Sequence, residues 1–383
     1  MNLTIFFDPV DETILSDQAE ADSWQHSLRI HLEKMPAWKK SHLALLGVPE
    51  ERGTLTNKGT YKAAAAIRKA LYPLKKGNHA YKISDLGDLR PGITLEDTYL
   101  RLQEVCETLL HNNVIPVILG GSHDLDYGQY RAHENLPMRV SLLNVDALMD
   151  MSENEKHPMS RRHIHDILMH EPNYLFTFSH LAYQTYLTSA HDLAILEKLY
   201  FEAYRLGQIR ENIQEIEPLI RESTMMSFDI TAIKLSDAPG NAQAHAFGLT
   251  GEEACQICWY AGLNEKMASV GFYEYNPDYD HRNQTAEVVA TMIWYFVEGF
   301  YHRKKEVDFS DKTYTKYVVP LSGARAHDVI FYKNTLNEKW WMEVPYPSKP
   351  NKVSIVPCSY TDYQAALKGE LPQRWINRYA KLV

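Results

Sequence analysis

With 383 residues, 45% of them hydrophobic and 23% charged, the chain has the composition of a globular protein with a sizeable core. A net charge of −9, with no basic block, argues against nucleic acid as a partner. No apolar stretch is long enough to span a bilayer, and Met1 to Asp8 lacks the basic start of a signal peptide, so a cytoplasmic location is expected. In chain order, Leu43 to Val48, closed by Pro49, predicts a buried strand. Asn57 to Leu71, rich in alanine and basic residues, predicts a helix. Thr94 and Asp97 read as a capping box before apolar residues at helical spacing (Leu95, Tyr99, Leu102, Val105, Cys106, Leu109), and Asn112-Asn113 ends that helix.

Further strands are expected at 114–121, 140–145, 174–179, 225–230 and 268–275. Helices are expected at 161–170, at 193–206 with Gly207 as its terminator, and at 250–260 with Gly262 in the C-terminal glycine position. A long amphipathic helix is expected from about Gln284 to Tyr301. It closes on His302-Arg303-Lys304-Lys305, read as a solvated helix end. Short strand-like runs at 316–321, 328–332 and 339–344 predict a small appended β element. Pro345 to Pro350 reads as a loop or extended connector, with a final helix near 363–368. The cysteines (Cys106, Cys255, Cys258, Cys358) show no secreted disulfide framework, and Cys255-x-x-Cys258 reads as two buried thiols on one helix face. The alternation favours an α/β fold with a mainly parallel sheet between helical layers. No linker or internal repeat divides the chain. Residues 1–40 are read as an N-terminal extension, 41–305 as the α/β domain and 306–383 as a C-terminal extension packed on it.

Three of the predicted strands each deliver a metal-type ligand at the C-terminal end, where open parallel sheets place their sites. The first ends in Ser122-His123-Asp124, the second in Asp146-Ala-Leu-Met-Asp150 and the third in Asp229-Ile-Thr231. One histidine and three aspartates suit a hard or borderline divalent ion such as Mn²⁺.

Gly47-Val-Pro49, Gly120-Gly-Ser-His123, Asp146 to Asp150, Ser227 to Thr231 and Glu274-Tyr-Asn-Pro277 occur in the order of the arginase, agmatinase and formimidoglutamase superfamily, the ureohydrolases. The chain resembles that superfamily from about Leu43 to Tyr301. The segment Pro172 to Ser179 and the Trp-rich tail are most similar to formimidoglutamase-like members from the Bacteroidetes. The resemblance implies a three-layer α/β/α fold around a mainly parallel sheet of about eight strands. It also implies hydrolysis of a linear amidine or guanidine C–N bond by water activated between two Mn²⁺ ions. Relatives often form trimers or hexamers, so a homo-oligomer is compatible with it.

The family motifs read Gly-Gly-Asp-His, Asp-Ala-His-x-Asp and Ser-x-Asp-x-Asp-x-x-Asp-Pro. Here Ser122 replaces an Asp, Leu148 replaces the His, Thr231 replaces the second Asp of the third motif, and Lys234-Leu235 replaces its closing Asp-Pro. By resemblance the first metal site uses His123, Asp146, Asp150 and Asp229, all kept. The second uses Asp146, Leu148, Asp229 and Thr231, so both of its private ligands are gone. One Mn²⁺ is therefore expected rather than two. The residues also leave open a site with no metal, in which Lys234 offsets the mutual repulsion of the carboxylates.

The resemblance further implies that Asp150 accepts a hydrogen bond from the attacking water and that Glu274 faces the cationic end of the substrate. For Glu274 the other reading is a strand-end carboxylate capping the loop before Asn276-Pro277. His163 and His165 fall near the family's proton-shuttling histidine, the other reading for either being a surface residue. Two functions stay open on these grounds. One is a formimidoglutamase-like hydrolase of a small amidine or guanidine substrate, working with one set of metal ligands. The other is a non-catalytic homologue, or pseudoenzyme, kept as a binding or assembly module.

Overall fold

The computed structural model describes residues 2–137, 139–304, 309, 312–321 and 328–382. Strands β1 (Phe7–Asp8), β2 (Arg29–Ile30), β3 (Leu43–Gly47), β4 (Ile83–Leu89), β5 (Ile115–Leu119), β6 (Val140–Val145), β7 (Leu175–Tyr183), β8 (Glu202–Arg205), β9 (Met225–Asp229) and β10 (Ser269–Tyr273) form one sheet. Its order is β1-β4-β3-β5-β10-β9-β6-β7-β8, with β2 also on β4. β1 runs antiparallel to β4, and the remaining pairings are parallel. The expected sheet of about eight strands is the parallel run β3 to β10, and β1 and β2, two residues each, add to its β4 edge.

The central strands β3, β5, β9 and β10 are buried along their whole length, as a sheet covered on both faces requires. Alternation sorts their side chains between the two faces. Leu43 and Leu45 join a core with helices Ala63–Leu71, Gly251–Leu263 and Gln284–Tyr301, whereas Ala44 and Leu46 join a core with helix Leu95–His111. Each fully buried Leu, Ile or Phe contributes about 1.5–3 kcal/mol to holding these layers together. The capping boxes at Thr94 and Thr250 are both formed.

Several elements differ from the sequence reading. The helix expected over 193–206 stops at Lys198, Tyr200 turns at φ +55°, and β8 follows. The open edge of β7 supplies backbone partners to β8, and Phe201 and Ala203 pack beneath it, which overrides local helix propensity. Gly207 consequently sits at the start of helix Leu206–Glu211, not after a helix. Gly262 likewise lies inside helix Gly251–Leu263, where a Cβ would come within 2.9 Å of Gly299 Cα on the crossing helix. The expected helix from Asn57 begins at Ala63, because Asn57 to Lys62 is drawn into the loop beside the site.

The C-terminal part forms a second sheet, antiparallel in the order β11 (Tyr314–Pro320), β12 (Asp328–Asn334), β13 (Trp340–Tyr346) and β14 (Lys349–Cys358). The Pro-rich stretch is therefore a hairpin between β13 and β14. As the edge strand, β14 tolerates proline, which lacks an N–H to donate. Helices Tyr360–Leu367 and Gln373–Lys381 close the chain. The second was not expected because its buried face is built from Arg374, Trp375, Asn377 and Arg378. This sheet is fastened to helix Glu217–Glu222 by Arg221, which stacks 4.3 Å over Trp341 and donates to the Trp340 carbonyl at 3.0 Å. Arg378 adds an ion pair to Glu222. The expected boundary at 305/306, and Lys305 itself, lie outside the described residues. Cys106, Cys255, Cys258 and Cys358 are free and buried. Among the described residues no helix is long and apolar enough to cross a membrane.

Candidate metal centre

Four neighbouring strands converge on one point at their C-terminal ends. β5 leads through Gly120 and Gly121, at φ +77° and +90°, to His123. Glycine takes that left-handed turn without strain, and the turn bends the chain back over the sheet. β6 delivers Asp146 and Asp150, β9 delivers Asp229 and β10 delivers Glu274. Asp150 (φ +47°) and Glu274 (φ +64°) hold left-handed conformations that cost a non-glycine residue about 1 kcal/mol or more.

His123 Nδ1 lies 3.1 Å from Asp229 Oδ2 and 3.4 Å from Asp146 Oδ2. Its Nε2 is 2.8 Å from Ser227 Oγ, and that hydroxyl donates to Asp126 Oδ2 at 3.0 Å. The other Asp126 oxygen is 2.8 Å from His163 Nδ1, while His163 Nε2 stands 3.7 Å from Asp150 Oδ2. Arg161 Nε is 3.1 Å from Asp150 Oδ1. One donor atom from each of His123, Asp146, Asp150 and His163 lies within 4.8 Å of the others. His123 Nδ1, Asp146 Oδ2, Asp150 Oδ1 and His163 Nε2 are all buried and lack a hydrogen bond. Orphaned buried atoms of this kind cost about 1–3 kcal/mol each. Asp150 Oδ1 has the Arg161 ion pair, and a divalent cation is a ligand that satisfies the other three at once, so the donor set fits a metal ion.

The electrostatics point the same way. Burial, reinforced by Asp229 and Asp150, pushes the Asp146 carboxyl up to about 7. Burial and Asp229 push Glu274 up to about 8. Burial would lower His163, but Asp126 carries it up to about 9. His123 is also raised against the effect of burial, by Asp146 and Asp229. Asp150 stays below the usual carboxylate range: burial opposes this, and the nearby His163 and Arg161 outweigh burial. The pocket is short of positive charge.

Leu148 and Thr231, which the resemblance places at ligand positions, hydrogen-bond to the site carboxylates. Asp146 Oδ1 accepts from the Leu148 N–H at 3.0 Å and from the Thr231 hydroxyl at 3.1 Å. Asp229 Oδ1 accepts from the Thr231 N–H at 2.6 Å. Each of these carboxylates thus has one oxygen committed to neighbours and one turned toward His123. Beside them opens a cleft of about 310 Å³ lined by Thr54, Leu148, Asp150, Arg161, Asp229 and Glu274.

The structure brings His123, Asp146, Asp150 and His163 to one point, with Asp229 and Glu274 against His123 beside it, in ways the sequence did not specify. His163 is fully buried, so it is not a surface histidine, whereas His165 is half-buried and outside the converging group. Glu274 accepts from the His123 N–H at 3.0 Å and from Asn57 Nδ2 at 2.7 Å. It braces the turn that carries His123 and does not cap the Asn276-Pro277 loop. Lys234 pairs with Asp237 at 3.3 Å, and the cation that reaches the site carboxylates is Arg161. Asp126, Ser227, Arg161 and Asn57 were missed as site residues. The one available signal was Asp126, three residues after His123 at the start of helix Leu125–Arg131.

The arginase family profile matches residues 41–298. This chain belongs to the arginase family. Formimidoylglutamase of Staphylococcus aureus (strain JH9) is 25% identical over 299 residues, covering 74% of this chain and 96% of the relative. Among solved structures, Trypanosoma cruzi formiminoglutamase with Mn²⁺ aligns with a TM-score of 0.66 at 24% identity, over 71% of this chain and 97% of that one. Formimidoylglutamase from Bacillus subtilis aligns with a TM-score of 0.67 at 20% identity, over 75% of this chain and 95% of that one. Within the ureohydrolases, the chain is formimidoylglutamase-like, as the resemblance implied.

Proposed function

We propose that this chain hydrolyses a linear amidine C–N bond, with formimidoylglutamate as the first candidate substrate, using a single Mn²⁺ held by His123, Asp146, Asp150 and Asp229. The observation that carries the one-ion reading is the division of the carboxylate oxygens. Oδ2 of Asp146 and of Asp229 face His123 Nδ1, while their Oδ1 atoms are engaged by Leu148 and Thr231. The substrate class rests on the S. aureus relative, which matches along 96% of its own length.

A bound divalent ion supplies Lewis acidity and lowers the pKa of water at the site. The protein's own groups do the rest. Asp150, kept ionised by Arg161 and His163, accepts a hydrogen bond from the attacking water and orients it. Glu274 lines the cleft, and a cationic amidinium beside it favours its ionised form. The water oxygen ends on the amidine carbon, the C–N bond to the glutamate nitrogen breaks, and that nitrogen takes a proton. The products are formamide and glutamate.

The hydrogen bonds of Thr231 and Leu148 also favour a second reading, a non-catalytic homologue whose site is closed by internal contacts. The test is product release in excess Mn²⁺: formamide from formimidoylglutamate, and urea from arginine and agmatine. Formamide formation that disappears in Asp150→Ala supports the hydrolase. No product from any of the three, together with no bound metal, leaves the non-catalytic reading.

A further inference from the structure

We propose that His163 is a direct ligand of the single ion, giving the site two imidazole nitrogens and shifting its preference from Mn²⁺ toward Co²⁺ and Zn²⁺. The inference rests on the one-ion reading above. By resemblance, the retained ligand set has one nitrogen and three carboxylates, and the chain has lost a second histidine at Leu148. The structure places another imidazole at the same centre, from helix His163–Leu168.

Three observations carry it. First, His163 converges with His123, Asp146 and Asp150 to within 4.8 Å, and its ring centroid is 4.1 Å from that of His123. Second, its Nε2 is buried and has no hydrogen bond. At 3.7 Å from Asp150 Oδ2 it is too far for one, leaving the two atoms as neighbours around a shared point. Third, its Nδ1 is held by Asp126 at 2.8 Å. A carboxylate on the far nitrogen fixes the tautomer and turns the lone pair of the near nitrogen inward, which is the usual support of a metal-bound histidine. The same Asp126, through Ser227, does this for His123. One buried carboxylate therefore aims two imidazole lone pairs at one place. An added imidazole donor raises affinity for later first-row ions relative to Mn²⁺.

The test uses the full chain loaded with Co²⁺ and proton NMR of its hyperfine-shifted, exchangeable imidazole N–H signals. Two such signals, from His123 and His163, are expected at one bound equivalent. One signal at one equivalent overturns the role of His163 and leaves the one-ion reading standing. No bound Co²⁺ and no bound Mn²⁺ overturns both. Competition between equimolar Co²⁺ and Mn²⁺ gives a second readout. His163→Gln is expected to retain Mn²⁺ while its preference for Co²⁺ falls about ten-fold or more; an unchanged preference contradicts the proposal.

Discussion

Placing His at Leu148 and Asp at Thr231, the ligands that the resemblance implies there, should create a second ion site, and the unloaded T231D variant should show what the added charge costs. Thr231 Oγ1 lies 3.1 Å from Asp146 Oδ1, so Thr231→Asp sets another carboxylate against Asp146 and Asp229. At about 4 Å and an effective dielectric constant of about 20, one such repulsion costs about 4 kcal/mol. Loss of the Thr231 hydroxyl bond adds about 1 kcal/mol. Thr231→Asp in chelator should therefore lose up to about 5 kcal/mol, whereas the uncharged Thr231→Asn should lose about 1 kcal/mol. Leu148 lines the cleft, so an imidazole in its place has room to face the ion. With Mn²⁺ at about 100 times its dissociation constant, each occupied site returns about 2.7 kcal/mol. The assay is thermal unfolding in chelator and in Mn²⁺, with metal content measured alongside. The expected results are a large chelator-dependent loss for T231D alone and about two equivalents for L148H/T231D. Equal stability of T231D and T231N in chelator, or one equivalent in the double variant, would refute the reasoning.

Two further predictions concern the scaffold. His133 is fully buried, 3.2 Å from Ser269 Oγ, and burial pushes it down to about 4 from an ordinary 6.5. The native state then binds fewer protons than the unfolded state, so this contribution is complete above about pH 6.5 and is lost as pH falls toward 4. The slope is at most about 1.4 kcal/mol per pH unit. Urea unfolding of His133→Gln between pH 6.5 and 4 should show a shallower decline than the parent; parallel curves would contradict this. Gly262→Ala forces a Cβ between helices Gly251–Leu263 and Gln284–Tyr301, and should lower stability by about 1–3 kcal/mol. An unchanged urea midpoint would mean that the helices separate without cost.

The central strands and their ligands were legible because a buried parallel strand is a short apolar run and its C-terminal end is where the chemistry sits. His123, Asp146, Asp150, Asp229 and Glu274 each close such a run. What escaped depends on partners far away in sequence. β8 exists because β7 offers it an edge, and Glu202 to Arg205 carries no strand pattern of its own. Helix Gln373–Lys381 buries arginines against Glu222, Glu215 and Asp362, so its inner face does not read as apolar. Asp126 looked like an ordinary first-turn carboxylate, and only folding places it between Ser227, 101 residues later, and His163. Lys234 was named as a neutraliser because it stood in a ligand motif, but its nearest carboxylate is one turn away on its own loop.

The central claim is that one ion, and not two or none, occupies the point where His123, Asp146, Asp150 and Asp229 meet. It is tested most directly by elemental analysis of the purified chain after dialysis against Mn²⁺ and removal of free ion. The account predicts about one equivalent, lost in Asp150→Ala while the fold persists by circular dichroism. Two equivalents in the native chain, or none, would contradict it.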